Sequence, residues 1–329
     1  MVSLSVRRLC VLAAVLLALG LSHPASGQGA QGFDAWLEGV WAEARAAGIR
    51  DATLHAALDG LNPIARVIEL DRRQPERVHT FDEYLAARVT PALVEKGRHL
   101  YDQHGALLGE VRTRYGVPPR FIVALWGLET HYGRHMGSFA VIGALATLAY
   151  DTRRSAFFRR QLLAALEILD EGHITPEAMV GSWAGAMGQS QFLPSSFLKF
   201  AVDFDGDGRR DIWTSEGDVF ASAANYLAGS GWRVGERWGR EVTLPQAFNR
   251  SLVGLDVTKP LREWRALGLR PATGGELPDG PLEGSVLLPG GDEGPAYLVF
   301  DNYRVILKWN RSDYFAMAVG RLADLIGER

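Results

Sequence analysis

Apolar residues recur at helical spacing at Phe33, Trp36, Leu37, Val40, Trp41 and Ala44, and again at Leu54, Ala57 and Leu58 after Asp51, a residue suited to capping a helix start. The pattern holds to about Tyr115 and predicts an all-helical lobe over residues 33–115. Pro118 and Pro119 predict a new helix start, because proline's fixed φ suits a first turn. That helix runs through the apolar stretch Phe121–Leu128 to Glu129, and Gly133 is expected to close it. An amphipathic helix follows from Ser155 to Glu171 through Phe158, Leu162, Ala165, Leu166 and Leu169. Further helices are expected from Ser195 and over Val219–Leu227. After Trp238 the pattern changes: residues 239–297 are rich in Gly and Pro and hold short β-like runs at Glu241–Leu244, Ser251–Val257 and Ser285–Leu288. Helical spacing returns over Ser312–Ile326. The expected fold class is mainly α (α+β): a helical lobe at 33–115 joined by 150–180, a helical core from 116–149, 181–238 and 298–329, and a small β-rich domain at 239–297.

The amino terminus changes the picture of where such a chain works. Arg7 and Arg8 precede the apolar stretch Leu9–Leu21, which is short for a bilayer, and Ala25-Ser26-Gly27 offers small residues for cleavage. Residues 1–27 therefore read as a secretory signal peptide, with an uncleaved membrane anchor as the alternative. A lipoprotein fits less well, since Cys10, the one cysteine, opens the apolar stretch instead of following it. Export would leave a chain without disulfides. Removing Arg7 and Arg8 takes the 35 basic residues to 33 against 38 acidic ones, a net charge of −5 that argues against nucleic acid as partner. The roughly 300 remaining residues can bury a large core and fit two or three subdomains. No repeat or low-complexity tract interrupts them.

Glu129 is the lone carboxylate between Glu110 and Asp151, at the end of an apolar run. Burial disfavours a charged carboxyl and raises its pKa, so Glu129 reads as a general acid. The plainer alternative is a helix-end cap or a pair with Arg134 or His131. The segment Gly181–Ser196 is dense in Gly, Ala and Ser and carries Gln189 and Gln191, a composition that suits a groove floor approached closely by a ligand or, equally, a tight helix crossing. Asp203, Asp205, Asp207 and Asp211 take positions 1, 3, 5 and 9 of a calcium loop with Gly208 at position 6, and Arg209 at position 7 offers its carbonyl. Position 12 is Thr214, which cannot replace the usual bidentate glutamate, so Asp218 is expected to close the shell, with Glu216 second. A metal-free Asp-Gly turn is the alternative.

Two other chemistries fit poorly. His131 and His135 stand four apart as zinc ligands often do, but Gly133 lies between them and the glutamate precedes the pair. Gly188-Gln189-Ser190-Gln191-Phe192 lacks the last glycine of a serine-hydrolase elbow and is expected in helical context.

Glu129-Thr130-His131-Tyr132-Gly133-Arg134, Arg153-Arg154, the Ala184–Ser196 block, the Asp203 loop, Ala224-Asn225-Tyr226 and Trp309-Asn310-Arg311-Ser312 stand in the order found in lytic murein transglycosylases of the B type. The chain resembles that family over about residues 33–327. The resemblance implies a lysozyme-like helical core with an added helical lobe, a small β domain and a structural Ca²⁺, without an organic cofactor. It implies cleavage of the β-1,4 bond between N-acetylmuramic acid and N-acetylglucosamine in peptidoglycan, ending in 1,6-anhydromuramic acid. By position Glu129 matches the catalytic glutamate, and Ser182, Gln191, Tyr226, Trp309 and Asn310 match groove residues. Arg153 and Arg154 match a cationic pair near glycan and stem peptide. Trp309 and Phe315 stand where some members carry tyrosine, a change that keeps stacking on a sugar and removes the hydroxyl hydrogen bond. The implied setting is exported and periplasmic, soluble or loosely held at wall or membrane, a monomer on glycan strands. Cell-wall synthesis or remodelling proteins remain open as partners. A hydrolytic muramidase and a non-catalytic peptidoglycan-binding protein are the competing readings, and the absence of a second evident carboxylate separates the first of them.

Overall fold

The structure is a computed structural model describing residues 26–73 and 79–328. The signal-peptide assignment falls on residues 1–25, outside the described residues, and on Ser26 and Gly27, which begin the first helix. In chain order come α1 (Ser26–Ala46), α2 (Asp51–Leu58), α3 (Ala65–Arg72), α4 (Phe81–Arg88), α5 (Pro91–Gln103), α6 (Gly105–Tyr115) and α7 (Pro119–Thr130). A two-residue strand β1 (Phe139–Ala140), α8 (Val141–Tyr150), α9 (Ser155–Asp170), β2 (Val180–Gly181), α10 (Pro194–Phe200) and α11 (Glu216–Gly229) follow. The carboxyl-terminal part is β3 (Gly239–Thr243), β4 (Lys259–Pro260), α12 (Leu261–Ala266), β5 (Arg270–Pro271), β6 (Glu283–Leu287), β7 (Ala296–Val299), α13 (Asp301–Trp309) and α14 (Asp313–Gly327). No helix of the described residues is long and apolar enough to cross a membrane.

Three apolar clusters organise these elements. One joins α4 to α7 with α11, α13 and α14, through residues such as Phe81, Leu100, Phe121, Trp126, Phe220, Tyr303 and Met317. A second joins α1, α2 and α3 with α8, α9 and α10 through Phe33, Leu54, Val67, Leu145, Leu162, Phe197 and Trp213. The third fills the β-rich part with Val242, Trp264, Leu277, Val286 and Phe300. Its antiparallel sheet runs β4-β6-β7-β3-β5. Residues 81–115, expected in the first lobe, thus pack with the Glu129 helix, whereas α8, expected with that helix, packs on α9. The reason is apolarity: Val141 to Ala149 are all buried, and a helix without a polar face needs neighbours on every side.

Local expectations differ in four places. Asp51 is the first helical residue, not the cap; Arg50 takes the cap position and Arg45 binds the Asp51 carboxylate at 2.6 Å. α7 ends at Thr130 and is capped by left-handed His131, two residues before Gly133. Ser251–Val257 forms a short 3₁₀ turn, Arg250–Leu252, and a single parallel bridge from Val253 to Val286 instead of a strand. Residues 181–193 form turns bridged at Gly181–Met187 and Met187–Phe192, not helix.

Candidate active site

α7 is buried at every position from Phe121 to Leu128, which fixes the Glu129 end of the helix inside the protein. Beyond Thr130 the chain turns back through three consecutive left-handed residues, His131 (φ 52°), Tyr132 (φ 62°) and Gly133 (φ 78°). Two of these carry side chains that disfavour the conformation, so the surroundings must hold it. They do: the Thr130 hydroxyl donates to the Gln189 main-chain oxygen and accepts from Gly133 N–H, each at 3.0 Å. The Tyr132 hydroxyl donates to Leu93 O at 2.7 Å, and its ring lies so close over Gly127 that a Cβ there would stand 2.8 Å from it.

Glu129 is half-buried, and its Oε1 accepts a hydrogen bond from Trp309 Nε1–H at 2.8 Å. Desolvation raises its pKa from 4.5 to about 7, while the Trp309 bond and the Arg88 guanidinium oppose the rise. His131 and His135 stack edge to face at 5.3 Å, and desolvation lowers the His131 pKa. The Asp151 carboxylate is engaged by Arg72 at 3.4 Å and by Arg153 N–H.

The other sequence-derived residues fall into two groups. Trp309, Tyr226 and Phe192 form an aromatic wall against Glu129, with ring centroids 4.7 Å apart for Tyr226–Trp309 and 5.2 Å for Phe192–Trp309. The Tyr226 hydroxyl donates to Lys308 O at 2.6 Å. Asn310 is exposed beside Trp309, its Oδ1 accepting from Ser312 N–H at 3.1 Å. Gln191 is left-handed (φ 49°), and its Nε2 donates to Met136 O and Gly188 O at 3.0 Å each, which leaves its Oε1 for a ligand. Ser182 Oγ accepts from Ala186 N–H at 3.0 Å. Arg153 and Arg154 stand apart from these, at the start of α9. Both pair with the buried Asp71, Arg153 at 2.7 Å, and Arg154 also lies over the Phe158 ring. Two cations on one carboxylate leave a net positive charge at that corner.

In the acidic loop, carboxylate oxygens of Asp203, Asp205 and Asp218 lie within 4.8 Å of one another. Asp218 is buried and its pKa is raised, first by desolvation. Three converging carboxylates fit a hard cation with oxygen ligands. Asp207 instead pairs with Arg209 at 3.0 Å, and Glu216 turns away to His104 Nδ1 at 3.2 Å. Asp211 caps the following turn, accepting from Trp213 and Thr214 N–H at 2.9 Å each.

Residues 32–324 match the transglycosylase SLT domain family. This chain belongs to that family. It is 34% identical over 247 residues to membrane-bound lytic murein transglycosylase B of Escherichia coli K12, a match that covers 72% of this chain and 65% of that protein's length. SltB3 of Pseudomonas aeruginosa, solved in complex with NAG-NAM-pentapeptide, superposes with a TM-score of 0.88 at 48% identity over 91% of this chain and 80% of that one. Escherichia coli Slt35 in complex with calcium superposes with a TM-score of 0.74 at 29% identity, over 92% and 93% of the two chains. The fold is accordingly that of the lysozyme-like lytic transglycosylases, mainly helical with a small sheet.

Sequence reasoning missed several residues that hold the end of α7. Gln189, expected with Gln191 in a groove floor or a tight helix crossing, is buried: its Oε1 accepts from Trp126 Nε1–H at 2.7 Å and its Nε2 donates to Trp213 O at 2.9 Å. The resemblance places Trp309 among groove residues but carries no sign that its indole donates to Glu129. Arg88 carried no signal at all, sitting in a short polar helix distant in sequence.

Proposed function

We propose that this chain is a peptidoglycan lytic transglycosylase that uses Glu129 first as acid and then as base. The observation that carries this is a desolvated carboxyl with pKa about 7, held by a neutral indole donor. Such a group is protonated often enough near neutral pH to give a proton to the glycosidic oxygen. The C1–O bond to N-acetylmuramic acid breaks, and the N-acetylglucosamine end leaves with its hydroxyl. The Glu129 carboxylate then takes the proton of the C6 hydroxyl as O6 bonds to C1, which closes the 1,6-anhydro ring without water. One carboxylate suffices because the acceptor is part of the sugar, whereas hydrolysis needs a second group to nucleophilically or basically assist.

The aromatic wall of Trp309 and Tyr226 and the Gln191 Oε1 supply stacking and hydrogen bonding for a saccharide, with Ser182 and Asn310 at the edges. The positive corner at Arg153 and Arg154 suits the lactyl or stem-peptide carboxylates. Digestion of purified peptidoglycan should release muropeptides lighter by one water than lysozyme products. Products carrying only reducing-end muramic acid would mean a hydrolytic muramidase.

The acidic loop is proposed to hold a structural Ca²⁺ between Asp203, Asp205 and Asp218, with Asp207 and the Arg209 carbonyl recruited on binding. The ion would neutralise the converging charges at the start of α11, the helix that carries Tyr226. A cation bound only by the folded state at about 100 times its Kd adds about 2.7 kcal/mol, so the melting temperature in calcium should exceed that in chelator by roughly 5 °C. Equal melts would leave the loop an ordinary turn. The chain is further proposed to be exported, on the strength of residues 1–27, and to act as a monomer on the periplasmic glycan.

A further inference from the structure

α4 reaches the site from a separate part of the chain, and its last residue, Arg88, is half-buried. Arg88 Nη2 donates to Leu128 O at 2.6 Å. That carbonyl belongs to the last turn of α7, where helix geometry leaves acceptors without partners. The neighbouring ones are met by the turn itself, Gly127 O by His131 N–H at 3.0 Å and Trp126 O by Tyr132 N–H at 3.2 Å. Arg88 also bonds the Tyr84 side chain. Its Nε, however, is buried without a hydrogen-bond partner, and among the described residues no carboxylate forms a salt bridge with it. A guanidinium left partly unsatisfied is costly, and its charge is poorly screened where water is excluded.

We propose that Arg88 is a positioning residue for Glu129: it fixes the end of α7 through the Leu128 carbonyl and sets an unpaired positive charge behind the carboxylate that exists between the two proton transfers. The inference rests on reading Glu129 as the acid and base. The indirect arrangement has a chemical use. A guanidinium bound directly to the Glu129 oxygens would hold the carboxyl ionised and unable to donate. Placed one residue away, on the main chain, it favours the anion once formed without taking the proton's place. If Arg88 were only a cap, its loss would change stability and nothing about proton transfer.

The pH dependence of kcat/KM on purified peptidoglycan separates these. Around the corner stand Arg88 and Tyr84 on α4, Tyr314 on α14 against Tyr84, Tyr226 on α11 behind Trp309, and His131 with His135 in the turn. Burial raises the Tyr84 and Tyr226 pKa values above the ordinary phenol range and lowers that of His131, so the alkaline limb near neutrality belongs to Glu129. Arg88→Gln should move that limb to higher pH, on the order of one unit, and cut the plateau about tenfold. Arg88→Lys keeps the charge but not the fork, so its limb should stay in place while its melting temperature falls. An unmoved limb in folded Arg88→Gln, or a limb displaced in Arg88→Lys, overturns the proposal. Should Arg88→Gln not fold, Arg88→Met, which also removes the charge, is read by the same criterion. Full activity in Glu129→Gln would instead overturn the reading beneath it.

Discussion

Glu129→Gln is expected to lower glycan cleavage by at least about 10²–10⁴-fold while leaving the fold intact. The magnitude is that of losing one general acid, and here the same group holds both proton roles, so nothing else in the aromatic wall can take over either step. Gln is isosteric and can accept the Trp309 N–H, which keeps the local packing. The stability effect has a definite sign. Because the folded state raises the Glu129 pKa from 4.5 to about 7, the neutral form is favoured in the folded chain. Its contribution is present in full below 4.5 and is lost as pH rises through about 7. Glu129→Gln carries no such penalty, so its melting temperature should match the parent's in acid and exceed it above neutrality. Activity within a few-fold of the parent would make Glu129 a structural acid and remove the mechanism.

Gly137→Ala should be the most destabilising single methyl in the site. Gly137 has φ 96°, and a Cβ there would meet Gly181 O at 2.0 Å, Gly181 C at 2.2 Å and Ser182 N at 2.6 Å. All three are backbone atoms, so no side-chain rotation relieves the clash. Adding the cost of a left-handed alanine to that of overpacking gives about 2–6 kcal/mol, a fall in melting temperature on the order of 10 °C. The shift would also displace Ser182 and the β1–β2 pair, Phe139–Gly181 and Ala140–Val180. A thermal melt checks it: an unchanged midpoint would mean that the 137 and 181 segments separate at no cost.

The partly buried carboxyl of Glu129 was legible because one carboxylate ended an uninterrupted apolar run, a pattern that survives any tertiary arrangement. α1, α9 and α14 were legible for the same reason, since their periodicity is strong and local. α13 was not. Its Tyr303-Arg-Val-Ile-Leu307 core reads equally as a strand, and what makes it helical is distant: buried Asn302 accepts from Arg233 N–H and donates to Arg233 O and Glu236 O. The missed helix delivers Trp309 to Glu129, so an unread element hid the hydrogen-bond donor to that carboxyl. The left-handed run after Glu129 was equally hidden, because only Gly133 announces such geometry and His131 and Tyr132 are forced into it by Tyr132's contact beneath α7.

Tyr226 and Trp309 pack partly against the cluster containing α7 and partly against the one containing α8 and α9. The aromatic wall is thus the mortar between two independently filled bodies, with Glu129 set on one and Ser182 and Gln191 on the other. A saccharide touching both can bind only while both are folded, so its binding energy is shared across the seam. Occupancy would then make the unfolding of the two bodies a joint event.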